Sequence, residues 1–233
     1  MSEESKCSKC NGFGWILYQK DDGFEYAREC ECQEVVKAKK RLEASGISEE
    51  FRKKGFKNFD DRGMDVVKTA KAISIDYCKR FLEIRNTSHN SILFMGQVGS
   101  GKTHLSMAIC NALLERYAQG VIYMTYREEI LNLKQKMVAD PTAYQDKIRQ
   151  FKECPVLMID DLLKGKNTES DVNILFEIIN YRYINCLPMI VSTEKTQEQL
   201  LDFDEGTMSR IIERSMGHLI EIVGRQYNYR IKS

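Results

Sequence analysis

The stretch Gly96-Gln97-Val98-Gly99-Ser100-Gly101-Lys102-Thr103 has the residue types needed to hold a polyphosphate. Glycines at 96, 99 and 101 let consecutive backbone N–H groups converge on an anion, and Gln97, Val98 and Ser100 contribute further amides. Lys102 adds a mobile positive charge, Thr103 offers a hydroxyl to Mg²⁺, and His104 follows at the start of the next element. A second set of chemically competent residues lies near the N-terminus. Cys7 and Cys10 are separated by two residues, and Cys30 and Cys32 by one. Two such pairs can present four thiolates to one tetrahedral zinc. A third is the acidic pair Asp160-Asp161, which ends an apolar run.

Elements of fixed type must bring these residues together. Ser91–Met95 (SILFM) reads as a buried strand before the glycine loop, and Thr103–Ala118 has helical apolar spacing at Leu105, Ala108, Ile109, Ala112 and Leu113. Val121–Thr125, Cys154–Asp161, Pro188–Thr193 and Leu219–Val223 are further apolar runs separated by helical segments. Continuously apolar strands are buried on both faces, which requires a parallel sheet covered by helices. Asp160 and Asp161 then emerge at the carboxyl edge of the sheet, where the glycine loop also lies. There Asp160 can hold a Mg²⁺ shell and Asp161 can polarise a water. Ser192-Thr193, at another strand tip, can orient a phosphate or that water, although hydroxyl residues also terminate strands for purely local reasons.

Between the two cysteine pairs, Trp15–Tyr18 and Phe24–Ala27 flank Asp21-Asp22-Gly23, a hairpin pattern. So short a segment has too little core to fold unaided, and metal binding would supply its stability. The charged helical run Glu31–Ala44 stops at Ser45-Gly46 and is a linker to a second unit, giving a division at 1–45 and 46–233. Phe51–Asp60 carries aromatic and basic residues whose roles divide between core packing and contact with a nucleotide base.

Lys+Arg and Asp+Glu total 35 and 34, so any polyanion contact is local. No apolar run reaches the roughly 18 residues of a membrane span, and with no signal core the expected location is the cytoplasm. Cys78, Cys110, Cys154 and Cys186 fall within apolar periods and read as core. Tyr126–Phe151 reads as two helices broken at Asp140-Pro141. Arg127, Lys134, Lys136, Lys147, Arg149 and Lys152 alternate there with Tyr144 and Phe151, as in a single-strand groove or on an ordinary helix surface. Helices are also expected at Ser170–Asn185, Glu194–Asp202 and Met208–Met216. Arg210 and Arg214, four apart, suggest a clamp on a phosphate, including a neighbour's; ion pairs with Glu213 or Glu205 are the alternative.

The succession GQVGSGKT, VLMIDD, IINYRYINCLPMIVSTEKT, MSRIIERS and QYNYR resembles the AAA+ helicase loaders of the DnaC and DnaI type and the related IstB-type transposition helpers. The resemblance implies an α/β P-loop core with a five-stranded parallel sheet flanked by helices. It implies a small zinc-binding helicase-docking module in front, while the roughly ten residues after Leu219–Val223 lead to the separate expectation of no C-terminal lid. It implies ATP, Mg²⁺ and Zn²⁺ as cofactors and ATP hydrolysis stimulated by DNA or a partner, and the shorter side chain of Asp161 fits a slow rate. The implied partners are a DnaB-type hexameric helicase, single-stranded DNA and neighbouring copies of the chain.

Residue by residue, the resemblance assigns 96–103 to Walker A, Asp160 and Asp161 to Walker B and Thr193 to sensor 1. Arg210 takes the arginine-finger position, Arg230 a sensor 2-like position, and 126–151 the inserted helices that touch single-stranded DNA. Two positions depart from the family pattern. Asp161 stands where Glu is common, and Ser192-Thr193 where Asn is common. A transposition helper and a nucleotide-sensing adaptor with negligible hydrolysis are the other functions compatible with these motifs.

Overall fold

The computed structural model describes residues 7–44, 49 and 53–231. The stop at Ser45-Gly46, the 45/46 boundary and Phe51 lie outside the described residues. Strands β1 (Trp15–Gln19) and β2 (Glu25–Glu29) pair antiparallel, with Trp15 opposite Glu29 and Gln19 opposite Glu25. Helix α1 (Cys32–Ala44) follows.

The larger unit is a five-stranded sheet of β3 (Ile92–Gly96), β4 (Val121–Thr125), β5 (Val156–Leu162), β6 (Met189–Thr193) and β7 (Leu219–Ile222). The strand order is β4-β5-β6-β3-β7 and every pairing is parallel. Alternate residues face opposite sides. Ile92, Phe94, Val156, Met158, Ile190, Ile220 and Ile222 pack with α2 (Asp65–Ile84) and α3 (Lys102–Tyr117). Leu93, Met95, Leu157, Ile159, Met189 and Val191 pack on the other side. There they meet α4 (Tyr126–Ala139), α5 (Pro141–Glu153), α6 (Glu169–Ile184) and α7 (Gln197–Arg214). Two filled faces explain why these strands read as continuous apolar runs.

Local chemistry sets the helix boundaries. Asp140 caps α5 by accepting from the Ala143 N–H, and Pro141 occupies its first turn, so the break at 140–141 is built into the sequence. The two segments expected at 194–202 and 208–216 form a single helix, α7, bent where Asp204 has φ −160° and ψ 94°.

Arg182 is fully buried on α6. Its guanidinium donates to the carbonyls of Phe151 at 2.9 Å, Lys152 at 3.1 Å, Cys154 at 2.9 Å and Pro188 at 2.7 Å. It thereby satisfies carbonyls left open at the end of α5 and ties them to the start of β6. Among the described residues, no helix is long and apolar enough to cross a membrane.

Candidate functional site

The glycine loop leaves β3 and turns directly into α3. Gly96 has φ 95°, and a Cβ there would lie 2.3 Å from the Ile222 carbonyl oxygen, so only glycine fits against β7. Gly101 has φ 90°, and a Cβ there would meet the Phe59 ring at 2.7 Å. Lys102 is 5% exposed, and its Nζ donates to the carbonyls of Gly96 at 2.8 Å and Gln97 at 2.6 Å. The Ser100 hydroxyl donates to the Gln97 carbonyl at 2.8 Å, which fixes the curve of the loop. Val98 completes the loop, its carbonyl accepting from the Gln97 side-chain amide at 3.3 Å. Burial pushes the Lys102 pKa down to about 8, against the opposing pull of Glu194, Asp161 and Asp160.

Asp160 sits at the tip of β5, buried, between three hydroxyls. Thr103 Oγ1 donates to Oδ1 at 2.9 Å, Tyr123 Oη donates to Oδ2 at 3.0 Å, and Ser192 Oγ also donates to Oδ1. Burial raises the Asp160 pKa, while the hydroxyls of Ser192, Thr103 and Tyr123 favour its charged form. The phosphate loop, β4, β5 and β6 therefore meet at one carboxylate, beside the Thr103 hydroxyl. Two hard oxygen donors next to a phosphate cradle fit Mg²⁺, which keeps several waters and binds through few protein groups.

Asp161 is set apart from Asp160 by a β-bulge and a left-handed backbone, φ 55°. Its N–H donates to Ser192 Oγ at 3.0 Å, and its carboxylate pairs with Lys164 at 2.7 Å. Lys164 also reaches Glu194 at 3.0 Å. Neither Lys164 nor Glu194 was singled out by spacing. Their only signals are nearness to Asp161 in sequence and a position just beyond the β6 tip.

The remaining sequence-predicted residues divide between this edge and other places. Thr193 Oγ1 donates to the Leu162 carbonyl at 2.8 Å, so of the two hydroxyls at the β6 tip it is Ser192 that meets Asp160. His104 faces the entry segment, with Nε2 3.0 Å from the Gly55 carbonyl and its ring edge-on to Phe59 at 5.1 Å. Arg230 lies over the loop: the Tyr229 N–H donates to the Gly99 carbonyl at 2.9 Å, and a Cβ on Gly99 would come within 3.4 Å of Arg230 Cγ.

Arg210 stands on α7 with its guanidinium over the rings of Phe176 at 5.5 Å and Tyr183 at 5.6 Å. Its Nη1 donates back to the Gly206 carbonyl. Arg214 cannot share a phosphate clamp with it. Arg214 is buried and donates to the carbonyls of Thr87 and Tyr183 and to Cys186 Sγ.

The basic and aromatic alternation of α4 and α5 also reads differently in three dimensions. Tyr144 and Phe151 are core residues. Lys134 pairs with Asp171 at 2.8 Å, Lys147 with Glu129 at 3.3 Å, Arg149 with Asp146 at 2.5 Å and Lys152 with Glu177 at 3.2 Å. Among the described residues, Arg127 and Lys136 are the cations of that set without an ion pair.

In the N-terminal unit, Cys7, Cys10, Cys30 and Cys32 bring their sulfurs within 4.8 Å of one another. Cys7 and Cys30 are 3.8 Å apart and Cys10 and Cys32 3.5 Å apart. Tetrahedral zinc with Zn–S bonds of about 2.3 Å sets sulfurs about 3.8 Å apart, so the donor set fits that metal. The Gly14 N–H donates to Cys10 Sγ at 3.3 Å, as outer-shell donors to metal thiolates do.

Comparison with known proteins gives one answer. Residues 53–218 match the family model of the Bacterial DnaA ATPase domain. The phage-like element PBSX protein XkdC of Bacillus subtilis (strain 168) is 34% identical over 97% of this chain and 86% of its own length. The crystal structure of DnaI superposes with a TM-score of 0.60 at 24% identity, over 78% of this chain and 94% of that one. The crystal structure of the DnaC helicase loader superposes with a TM-score of 0.60 at 21% identity, over 75% of this chain and 99% of that one. With its strand order, phosphate loop and β5 acid in place, and with a fold like that of DnaI and DnaC, the chain belongs to the bacterial DnaA ATPase-domain family.

Proposed function

We propose that this chain is an ATP-dependent loader that places a DnaB-type hexameric replicative helicase on single-stranded DNA. The observation that carries the reading is Asp160, a buried carboxylate held by Thr103, Ser192 and Tyr123 beside the Lys102 loop. In this reading the amides of 96–103 cradle the phosphates of ATP and Lys102 neutralises them. Thr103 and Asp160 hold Mg²⁺, which when bound supplies Lewis acidity and a template for in-line displacement. Asp161 accepts a proton from the attacking water, and Thr193, at the β6 tip, backs the strand that carries Ser192. Arg210 acts on a neighbouring subunit's nucleotide and Arg230 on the chain's own.

Residues 1–45 form the docking module and 46–233 the ATPase. The module's four cysteines hold Zn²⁺, and its hairpin offers Phe13, Trp15, Leu17 and Phe24 to the helicase. These side chains are 83%, 56%, 70% and 69% exposed. The similarity to the DnaC helicase loader supports the same assignment.

The test is retention of a DnaB-type hexamer by the immobilised full-length chain, with turnover measured with and without single-stranded DNA. We expect stable capture, ATP hydrolysis that rises with DNA, and loss of nucleotide binding in Lys102→Ala. A chain that ignores the helicase yet assembles with a transposase on duplex DNA would instead be a transposition helper. Negligible turnover both with and without single-stranded DNA would leave a nucleotide-sensing adaptor, and turnover equal in wild type and Asp161→Asn would remove the role given to Asp161.

A further inference from the structure

Lys164 has no part in the mechanism above, yet it is the cation that touches the catalytic edge from outside. It lies on the turn after β5, three residues beyond Asp161, and bridges two carboxylates from different strand tips. The distances are 2.7 Å to Asp161 Oδ2 and 3.0 Å to Glu194 Oε1. The three side chains are partly exposed, at 39% for Lys164 and 29% for each acid. The ammonium can therefore leave without opening the core.

The turn that carries it is anchored elsewhere. Tyr126 Oη donates to Asn167 Oδ1 at 2.7 Å, and Lys134 Nζ donates to Thr168 Oγ1 at 3.1 Å. The turn is thus tethered to α4 through the Asn167 and Thr168 side chains. An adjoining cleft of about 230 Å³ is lined by Arg127, Lys134, Lys164, Lys166 and Asp171 among others. Its other cations disfavour the Lys164 ammonium there and favour the carboxylate pair. Asp171, the acid in that lining, is already paired with Lys134 at 2.8 Å.

We propose that Lys164 is a positioning residue that restrains ATP hydrolysis by pinning Asp161, with Glu194 as the second anchor of the pin. The inference rests on the reading of Asp161 as the acceptor of the water proton. In the chemical step the water oxygen bonds to the γ-phosphorus, and the bond from that phosphorus to the β–γ bridging oxygen breaks. The water proton passes to a carboxylate oxygen of Asp161. A carboxylate whose Oδ2 is engaged by an ammonium has one fewer lone pair for that proton and is fixed in direction. The left-handed backbone at Asp161 and the donation of its N–H to Ser192 fix where the carboxylate starts, and the ion pair with Lys164 sets where it points. Glu194 holds the ammonium at this position.

The experiment is steady-state ATP turnover of the full-length chain as wild type, Lys164→Gln, Lys164→Arg, Glu194→Gln, Asp161→Asn and the Lys164→Gln/Asp161→Asn double variant. Lys164→Gln should raise kcat about tenfold, the factor that corresponds to one charge-assisted hydrogen bond, with KM for ATP unchanged. Lys164→Arg should restore the low rate, because a guanidinium can bridge both acids. Glu194→Gln should give a smaller rise, and the double variant should fall to the level of Asp161→Asn.

A kcat for Lys164→Gln at or below wild type, with Asp161→Asn inactive, overturns the pin and leaves the catalytic reading standing. Turnover in Asp161→Asn equal to wild type overturns both. A gain in Lys164→Gln that survives in the double variant also overturns the pin, since Lys164 would then act without Asp161.

Discussion

The two ends of this chain solve the same problem, how to hold a few polar groups still, by opposite means. At the phosphate-loop edge, Asp160 and Lys102 are fixed by a sheet whose two faces are both filled. In the N-terminal unit β1 and β2 expose nearly every side chain, and among residues 7–31 the buried side chains are Cys10 and Cys30. One region gets its rigidity from apolar burial and can carry charge at its rim. The other has no such burial, and only its sulfur cluster can order it. Regions held so differently should fail independently, which allows each to be broken alone.

The largest effect is expected in the hairpin. Cys30→Ser, or a chelator strong enough to strip zinc, removes metal-linked folding energy on the order of 10 kcal/mol. Amides of 15–19 and 25–29 should then exchange freely while those of β3, β5 and β6 stay protected and ATP binding persists. Hairpin amides that stay protected in metal-free protein would mean that something other than the sulfurs holds the unit.

A smaller effect in the other direction comes from Arg182, which ties α5 to β6 through carbonyls of Phe151, Cys154 and Pro188. Burial lowers its pKa, yet the guanidinium stays charged because it is so strongly basic to begin with. Arg182→Ala leaves those carbonyls unmet and opens a cavity, so the core should lose about 3–5 kcal/mol in denaturant unfolding. The hairpin's metal should be retained. A loss below about 1 kcal/mol would mean that water replaces the guanidinium without cost.

The same contrast explains what could be read in advance. Strands buried on both faces announce themselves as apolar runs, so β3, β5 and β6 and the meeting of Thr103 with Asp160 were visible in the order of residues, while the edge strands β4 and β7, which are only partly buried, were carried by their apolar patterns. The cysteine spacing was equally plain, because ligand geometry is local. Contacts made by side chains beyond the strand tips were not. Lys164 meets Glu194 only after two turns fold toward each other, and which of Ser192 and Thr193 meets Asp160 depends on the pleat. Arg182 carries no signal in the order of residues, since nothing in a helical period shows that its neighbours are open carbonyls. The pairing of four basic residues of α4 and α5 was hidden for the converse reason. Their acids lie on other elements, as with Lys152 and Glu177, or an odd turn away, as with Arg149 and Asp146.

The smallest effect is the sharpest test of how the rim carries charge. Burial brings the Lys102 pKa from the ordinary lysine value of 10.5 to about 8. The folded value lies below the unfolded one, so the protonated lysine costs stability below about pH 8, and that cost is relieved as pH rises from 8 toward 10.5. Nucleotide binding has the opposite sign, because the triphosphate favours the ammonium and must draw a proton back when pH exceeds 8. ATP affinity should therefore fall by up to about tenfold per pH unit above 8, with proton uptake visible as a buffer-dependent binding enthalpy. Lys102→Arg, which cannot lose its proton, should flatten that slope whatever its absolute affinity. Wild-type affinity that stays level from pH 7 to 9.5 would mean that the carboxylates of Glu194, Asp161 and Asp160 outweigh burial at Lys102. The loop would then be held by its charges and not by the packed sheet beneath it.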